Sequence, residues 1–150
     1  AETEYANEIE RALARSDADK LCRQIDAYAA HHASGESEWP ENLSEDFSEI
    51  VACYDDPEKA LAYVVLGISR LEDVSFLGFL GCGPLEDILD DPSPELLERI
   101  VAEAHRSPRF RWLLSCPFKA AISEKAWEAI HEFRITGPHE EPADDTMPPR

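Results

Sequence analysis

Apolar residues recur along this chain at the spacing of a helix. Tyr5, Ile9, Ala12 and Leu13 follow i, i+4, i+7, i+8, and Leu21, Ile25, Tyr28 and Ala29 repeat the pattern. Gly35 predicts a stop. The stretch 35–42 reads as a loop, because Trp39 precedes Pro40 and is pushed out of the α region. Phe47, Ile50, Val51 and Tyr54 then predict a helix over about 43–54. Asp55-Asp56-Pro57-Glu58 reads as the next helix start, with a capping aspartate, proline at the first position and a carboxylate in the first turn. That helix, to about residue 71, carries Leu61, Val64, Val65, Leu66, Ile68 and Leu71 on most of its sides, which places it at the centre of the fold. Further helices are predicted at 74–81, 84–89, 95–105, 108–115 and about 122–135, the first of the last three presenting Leu96, Leu97, Ile100, Val101 and Ala104 on one face. No segment alternates with period two for long enough to predict a strand.

These elements add up to an all-α fold of seven to nine short helices in one domain over residues 1–136. Residues 137–150 hold four prolines and four acids among fourteen positions and are expected to form a flexible, disordered tail. An internal echo suggests stacked helical hairpins of the HEAT or armadillo kind. Asp55-Asp56-Pro57 recurs as Asp90-Asp91-Pro92, each followed by a leucine and then paired apolar residues. Phe-x-x-x-(Val/Leu)-x-Cys occurs at Phe47/Val51/Cys53, Phe76/Leu80/Cys82 and Phe110/Leu114/Cys116. The echo predicts that each cysteine sits as a small apolar residue at a helix–helix contact.

Length and composition agree with that picture and narrow the class. A chain of 150 residues with 43% apolar content can bury a core of its own. The longest charge-free stretches, 60–69 and 74–85, are too short to span a bilayer. No basic segment followed by an apolar run opens the sequence, so no signal peptide is expected. Cys22, Cys53, Cys82 and Cys116 form no C-x-x-C pair, which removes the usual zinc and redox signatures and reads as reduced thiols in a cytoplasmic protein.

Charge changes the picture most. Thirty-two acids against fourteen bases give −18, which disfavours direct contact with nucleic acid or an anionic membrane and favours a basic protein partner. Between residues 24 and 58 there is no lysine or arginine and there are ten acids: Asp26, Glu36, Glu38, Glu41, Glu45, Asp46, Glu49, Asp55, Asp56 and Glu58. Residues 71–98 add eight acids and again no base, whereas 104–123 holds Arg106, Arg109, Arg111 and Lys119 with no acid. Aspartates at helix starts account for part of this. The loop acids do not need to cap anything, so Glu36, Glu38, Glu41, Glu45, Asp46 and Glu49 around Trp39 are the candidate partner-binding surface, with the indole as its anchor.

Gly81-Cys82-Gly83-Pro84-Leu85-Glu86-Asp87 is the most distinctive motif. Its residues predict a tight turn between helices: Gly81 ends one, Gly83 supplies positive φ, Pro84 opens the next, and Glu86 and Asp87 occupy its first turn. It is not a phosphate loop, since two acids follow the glycines and no lysine does. This motif, the Asp-Asp-Pro-Glu start, the Ala104-His105-Arg106 helix end and Ser-Pro-Arg-Phe-Arg-Trp-Leu-Leu together resemble a family of small bacterial all-helical domains of unknown function, over roughly residues 55–114. The resemblance implies a bacterial source and a helical fold, and no activity.

Catalytic signatures are missing. His31 and His32 are about 100° apart round a helix, the other histidines are isolated, and neither a Gly-x-Ser-x-Gly nor an H-E-x-x-H occurs. No catalytic residue, metal or cofactor is assigned. The expected function is a non-catalytic acidic binding domain, in its concrete form an inhibitor or immunity-type protein docking a basic toxin. The alternatives are a DNA mimic that blocks a nucleic-acid-binding protein, and a small metal-dependent enzyme using Glu86 and Asp87.

Overall fold

A computed structural model describes residues 5–36, 38, 48–50 and 55–149. Eight α-helices are placed among them: α1 (Glu8–Leu13), α2 (Ala18–Ser34), α3 (Pro57–Arg70), α4 (Val74–Leu80), α5 (Glu86–Asp90), α6 (Pro94–Arg106), α7 (Pro108–Leu114) and α8 (Glu124–Ile130). Residues 48–50 are helical as well, and the described residues contain no strand. The all-α expectation therefore holds. The helix predicted over 43–54 lies outside the described residues apart from 48–50.

Local chemistry explains most helix starts. Asn7 accepts from the Glu10 amide to begin α1, and Asp56 accepts from the Lys59 amide to begin α3 with Pro57 at its first position. Asp73, Ser93, Ser107 and Ser123 cap α4, α6, α7 and α8 by the same bond to the third residue on. Gly35, at φ 74°, ends α2 in the left-handed conformation that a Cβ disfavours.

The apolar helix α3 is the axis of the molecule, as its sequence predicted. Every residue from Ala60 to Ile68 is buried, and α1, α2, α4, α5 and α7 all pack on it. Sequential neighbours also pack on one another, α1 with α2, α3 with α4 and α6 with α7. Polar bonds between the helices fix the arrangement. Tyr63 donates to Gln24 Oε1 at 2.6 Å between α3 and α2, and Arg99 of α6 joins Glu8 of α1 at 2.7 Å and Glu58 of α3. Arg109, buried on α7, donates to the carbonyls of Ile68 and Leu71 at the end of α3.

Two expectations are corrected. The Gly81–Asp87 motif is not a turn: α4 continues through a π-helical segment, Gly81–Leu85, into α5 without a break. Neither Gly81 nor Gly83 has positive φ, since Gly35 alone does among the described glycines. Pro84 has no N–H for the carbonyl four residues back and its ring would strike it, and the wider π turn accommodates both. The second correction concerns the repeat. Asp56 caps α3, but Asp90-Asp91-Pro92 lies ahead of the true cap, Ser93, so the two Asp-Asp-Pro copies are not structurally equivalent. The Phe-x-x-x-Leu-x-Cys copies at 76–82 and 110–116 do behave alike. Both bury their phenylalanine and leucine, and their cysteines meet; Phe47, Val51 and Cys53 of the remaining copy lie outside the described residues.

After α8 the chain returns across the body. Arg134 donates to the carbonyls of Leu114, Pro117 and Gly137, and the Lys119 amide donates to Pro138 O at 2.8 Å. Further on Pro142 is buried, Met147 packs against the core, and Trp112 Nε1 donates to Thr146 Oγ1 at 2.9 Å.

Candidate functional site

The sequence-predicted acidic surface divides. Glu36 and Glu38 are exposed, while Trp39, Glu41, Glu45 and Asp46 lie outside the described residues. Glu49 is a brace between elements. Its carboxylate accepts from Gln24 Nε2 at 3.0 Å, Lys59 Nζ at 3.2 Å and Lys20 Nζ at 3.2 Å, tying 48–50 to α2 and α3. The Gln24 bond and then the two lysines hold its carboxyl down to about 2, against a smaller opposing effect of burial.

The two carboxylates of the π motif have different surroundings. Glu86 accepts from the Phe118 amide at 3.3 Å, and Asp87 is exposed at the surface of α5. Partial burial, then the charge of Asp90, raises the Asp87 carboxyl. Among the described residues no three His, Cys, Asp or Glu side chains are grouped so as to hold a metal ion. Gly81 serves packing, since a Cβ there would lie 2.8 Å from Cys116 Cβ; one at Gly83 would meet only the Phe79 ring at 3.8 Å.

A groove of about 750 Å³ lies elsewhere, between α6 and α8. Helical phase creates it. Leu96, Ile100 and Ala104 turn one row of α6 fully into the core, and Leu97 and Val101 sit one residue on, about 100° round, at its edge. On α8 Ala126 and Ile130 are buried and Ala129 takes the matching edge position. Pro92 and Pro94 complete an apolar floor at one end. One turn beyond Val101 and Ala129, His105 meets Phe133 edge-to-face at 4.9 Å. Asp91, Glu98 and Lys125 stand on the walls, and Glu95, Glu124 and Glu128 are exposed on the same two helices.

In sequence the apolar stripe of α6 reads as one face. The signal for a groove was its width: five apolar positions on a helix whose inner row needs only Leu96, Ile100 and Ala104 to reach the core.

The chain belongs to a family of unknown function, DUF6869, whose sequence profile matches residues 28–137. No curated protein and no solved structure matches the chain. No helix among the described residues is long and apolar enough to cross a membrane.

Proposed function

We propose that this member of a family of unknown function is a non-catalytic protein-binding domain that docks a basic partner, seating an apolar-faced, Lys/Arg-rich helix of that partner in the α6–α8 groove. The observation that carries the reading is the groove itself, apolar along Leu97, Val101 and Ala129 and bordered by Asp91 and Glu98 on a chain of net charge −18. A helix laid in such a groove buries its apolar row, while opposite charge at the walls speeds its arrival and fixes its direction. The acids around Trp39 extend the negative surface in sequence. In its concrete form the domain is an inhibitor or immunity-type protein whose target is a basic toxin or nuclease.

A DNA mimic is the weaker alternative. It needs free carboxylates in a regular array, and many acids here are engaged: Asp56 and Asp73 cap helices, Asp17 pairs with Arg15, Asp26 with Arg70, and Glu8 and Glu58 with Arg99.

The test is fluorescence anisotropy with a labelled basic amphipathic peptide of roughly 15 residues, against a scrambled peptide of the same composition. The ordered peptide is expected to bind more tightly. Leu97→Asp or Val101→Asp should weaken it at least about tenfold, or about 1.4 kcal/mol, with unchanged circular dichroism. Equal binding of both peptides, or indifference to both substitutions, removes the groove from the proposal.

A further inference from the structure

The cysteines that close the two described Phe-x-x-x-Leu-x-Cys segments belong to a second site, away from the groove. The π segment carries Cys82 onto the end of α7, where Cys116 is fully buried. Close approach is possible because Gly81 lacks a side chain: a Cβ there would lie 2.8 Å from both Cβ and Sγ of Cys116. Cys82 Sγ lies 3.7 Å from the Cys116 carbonyl oxygen and donates to Glu141 Oε1 at 2.9 Å. Cys116 Sγ points back along α7 towards the Trp112 carbonyl, at 3.9 Å.

Cys82 can be reached from solvent. It is half-buried and lines an open recess of about 270 Å³ with Phe79, Trp112, Glu141 and Asp144, wide enough for a small oxidant. Contact with the Cys116 thiol, then burial, then the Glu141 carboxylate all push the Cys82 thiol far above its ordinary range. Cys82 is therefore a neutral thiol while the returning segment is in place, and a neutral thiol is a poor nucleophile.

We propose that Cys82 and Cys116 are an oxidisable pair that hydrogen peroxide converts to an intramolecular disulfide, with Glu141 as its brake. The Cys82 sulfur attacks one peroxide oxygen, the O–O bond breaks, and a sulfenic acid and one water result. The Cys116 sulfur then attacks the sulfenic sulfur. The hydroxyl leaves with the Cys116 proton as a second water, and the S–S bond forms. Two thiols are oxidised and one peroxide is reduced to two waters. Glu141 slows the first step, because its negative charge opposes formation of the thiolate beside it. The product has no S–H for Glu141 to accept, so oxidation weakens the contact that holds residue 141 over the recess.

The pair is tested on the reduced full chain exposed to hydrogen peroxide, blocked with iodoacetamide, and read by intact mass and peptide mapping. The expected product has lost two hydrogens and yields a peptide linking 82 to 116. Glu141→Gln should form it several-fold faster, and Cys116→Ala should stop at oxidised Cys82. Cysteine linkage through Cys22 or Cys53 instead, or sulfinic acid at Cys82 with Cys116 still alkylated, overturns the pair. A Glu141→Gln rate equal to that of the unaltered chain overturns the brake. Circular dichroism of each variant before oxidation confirms that the comparison is between folded proteins.

Discussion

Gly81 and Gly83 look alike in sequence and answer differently to one added methyl group. At Gly81 a Cβ meets Cys116 Cβ and Sγ at 2.8 Å and the Leu113 carbonyl at 3.0 Å. A backbone oxygen cannot step aside cheaply, so Gly81→Ala should destabilise by about 1–3 kcal/mol, as overpacking does. At Gly83 the added carbon has only ordinary contact with the Phe79 ring at 3.8 Å, inside a helical run with negative φ. Gly83→Ala should gain up to about 1 kcal/mol from helix propensity. Urea unfolding of both variants checks the pair, and equal signs would mean that the approach of Gly81 to Cys116 and Leu113 yields to an added methyl group. The sequence could not separate these glycines. A Gly-x-Gly-Pro string has good local reasons to be a turn, and the packing that tells Gly81 from Gly83, against Cys116 and Leu113, comes from a distant part of the chain. The carboxylates beside it were no easier to place from sequence, since Glu86 accepts from the Phe118 amide, distant in the chain, while Asp87 is exposed.

At the scale of elements, the chain's own punctuation was legible. Asp56-Pro57 and Ser107-Pro108 start helices where local rules put them, because capping is settled within four residues. The fully apolar stretch 60–68 was legible as the central helix for a similar reason, having no polar side to show to water. Glu49 was not. As one of ten acids in a base-free stretch it read as surface charge, and its lysines come from other helices, Lys20 on α2 and Lys59 on α3. These pairs have a consequence for pH. The folded-state carboxyl titrates at about 2, below its usual 4.5, so on acidification the unfolded chain takes up the proton first. The contribution is complete above pH 4.5 and is lost as pH falls from there to about 2. With the partly exposed ion pairs screened by water, Glu49→Gln should cost only about 1 kcal/mol at pH 7. Denaturant melts of the two proteins should converge near pH 2; a constant gap at all pH values would show that the side chain's shape, and not its charge, braces the helices.

For the whole molecule, net charge acts with opposite signs on folding and on the proposed docking. A charge of −18 on 150 residues repels itself more strongly when the chain is compact, so salt should relieve the folded state. The ion pairs at partial exposure lose something to screening, but fourteen bases neutralise the charge of fewer than half of thirty-two acids. Raising sodium chloride from about 0.02 to 0.3 M should therefore lift the thermal midpoint by a few degrees. The same change should weaken a basic peptide in the α6–α8 groove, mainly through slower association, while the apolar floor of Leu97 and Val101 keeps part of the affinity. Calorimetry and anisotropy on one protein preparation give both numbers. A midpoint that rises while affinity falls assigns the excess acid to recognition at some cost in stability. If the midpoint rises and affinity is insensitive to salt, the acids serve solubility, and whatever the groove binds is held by its apolar floor alone.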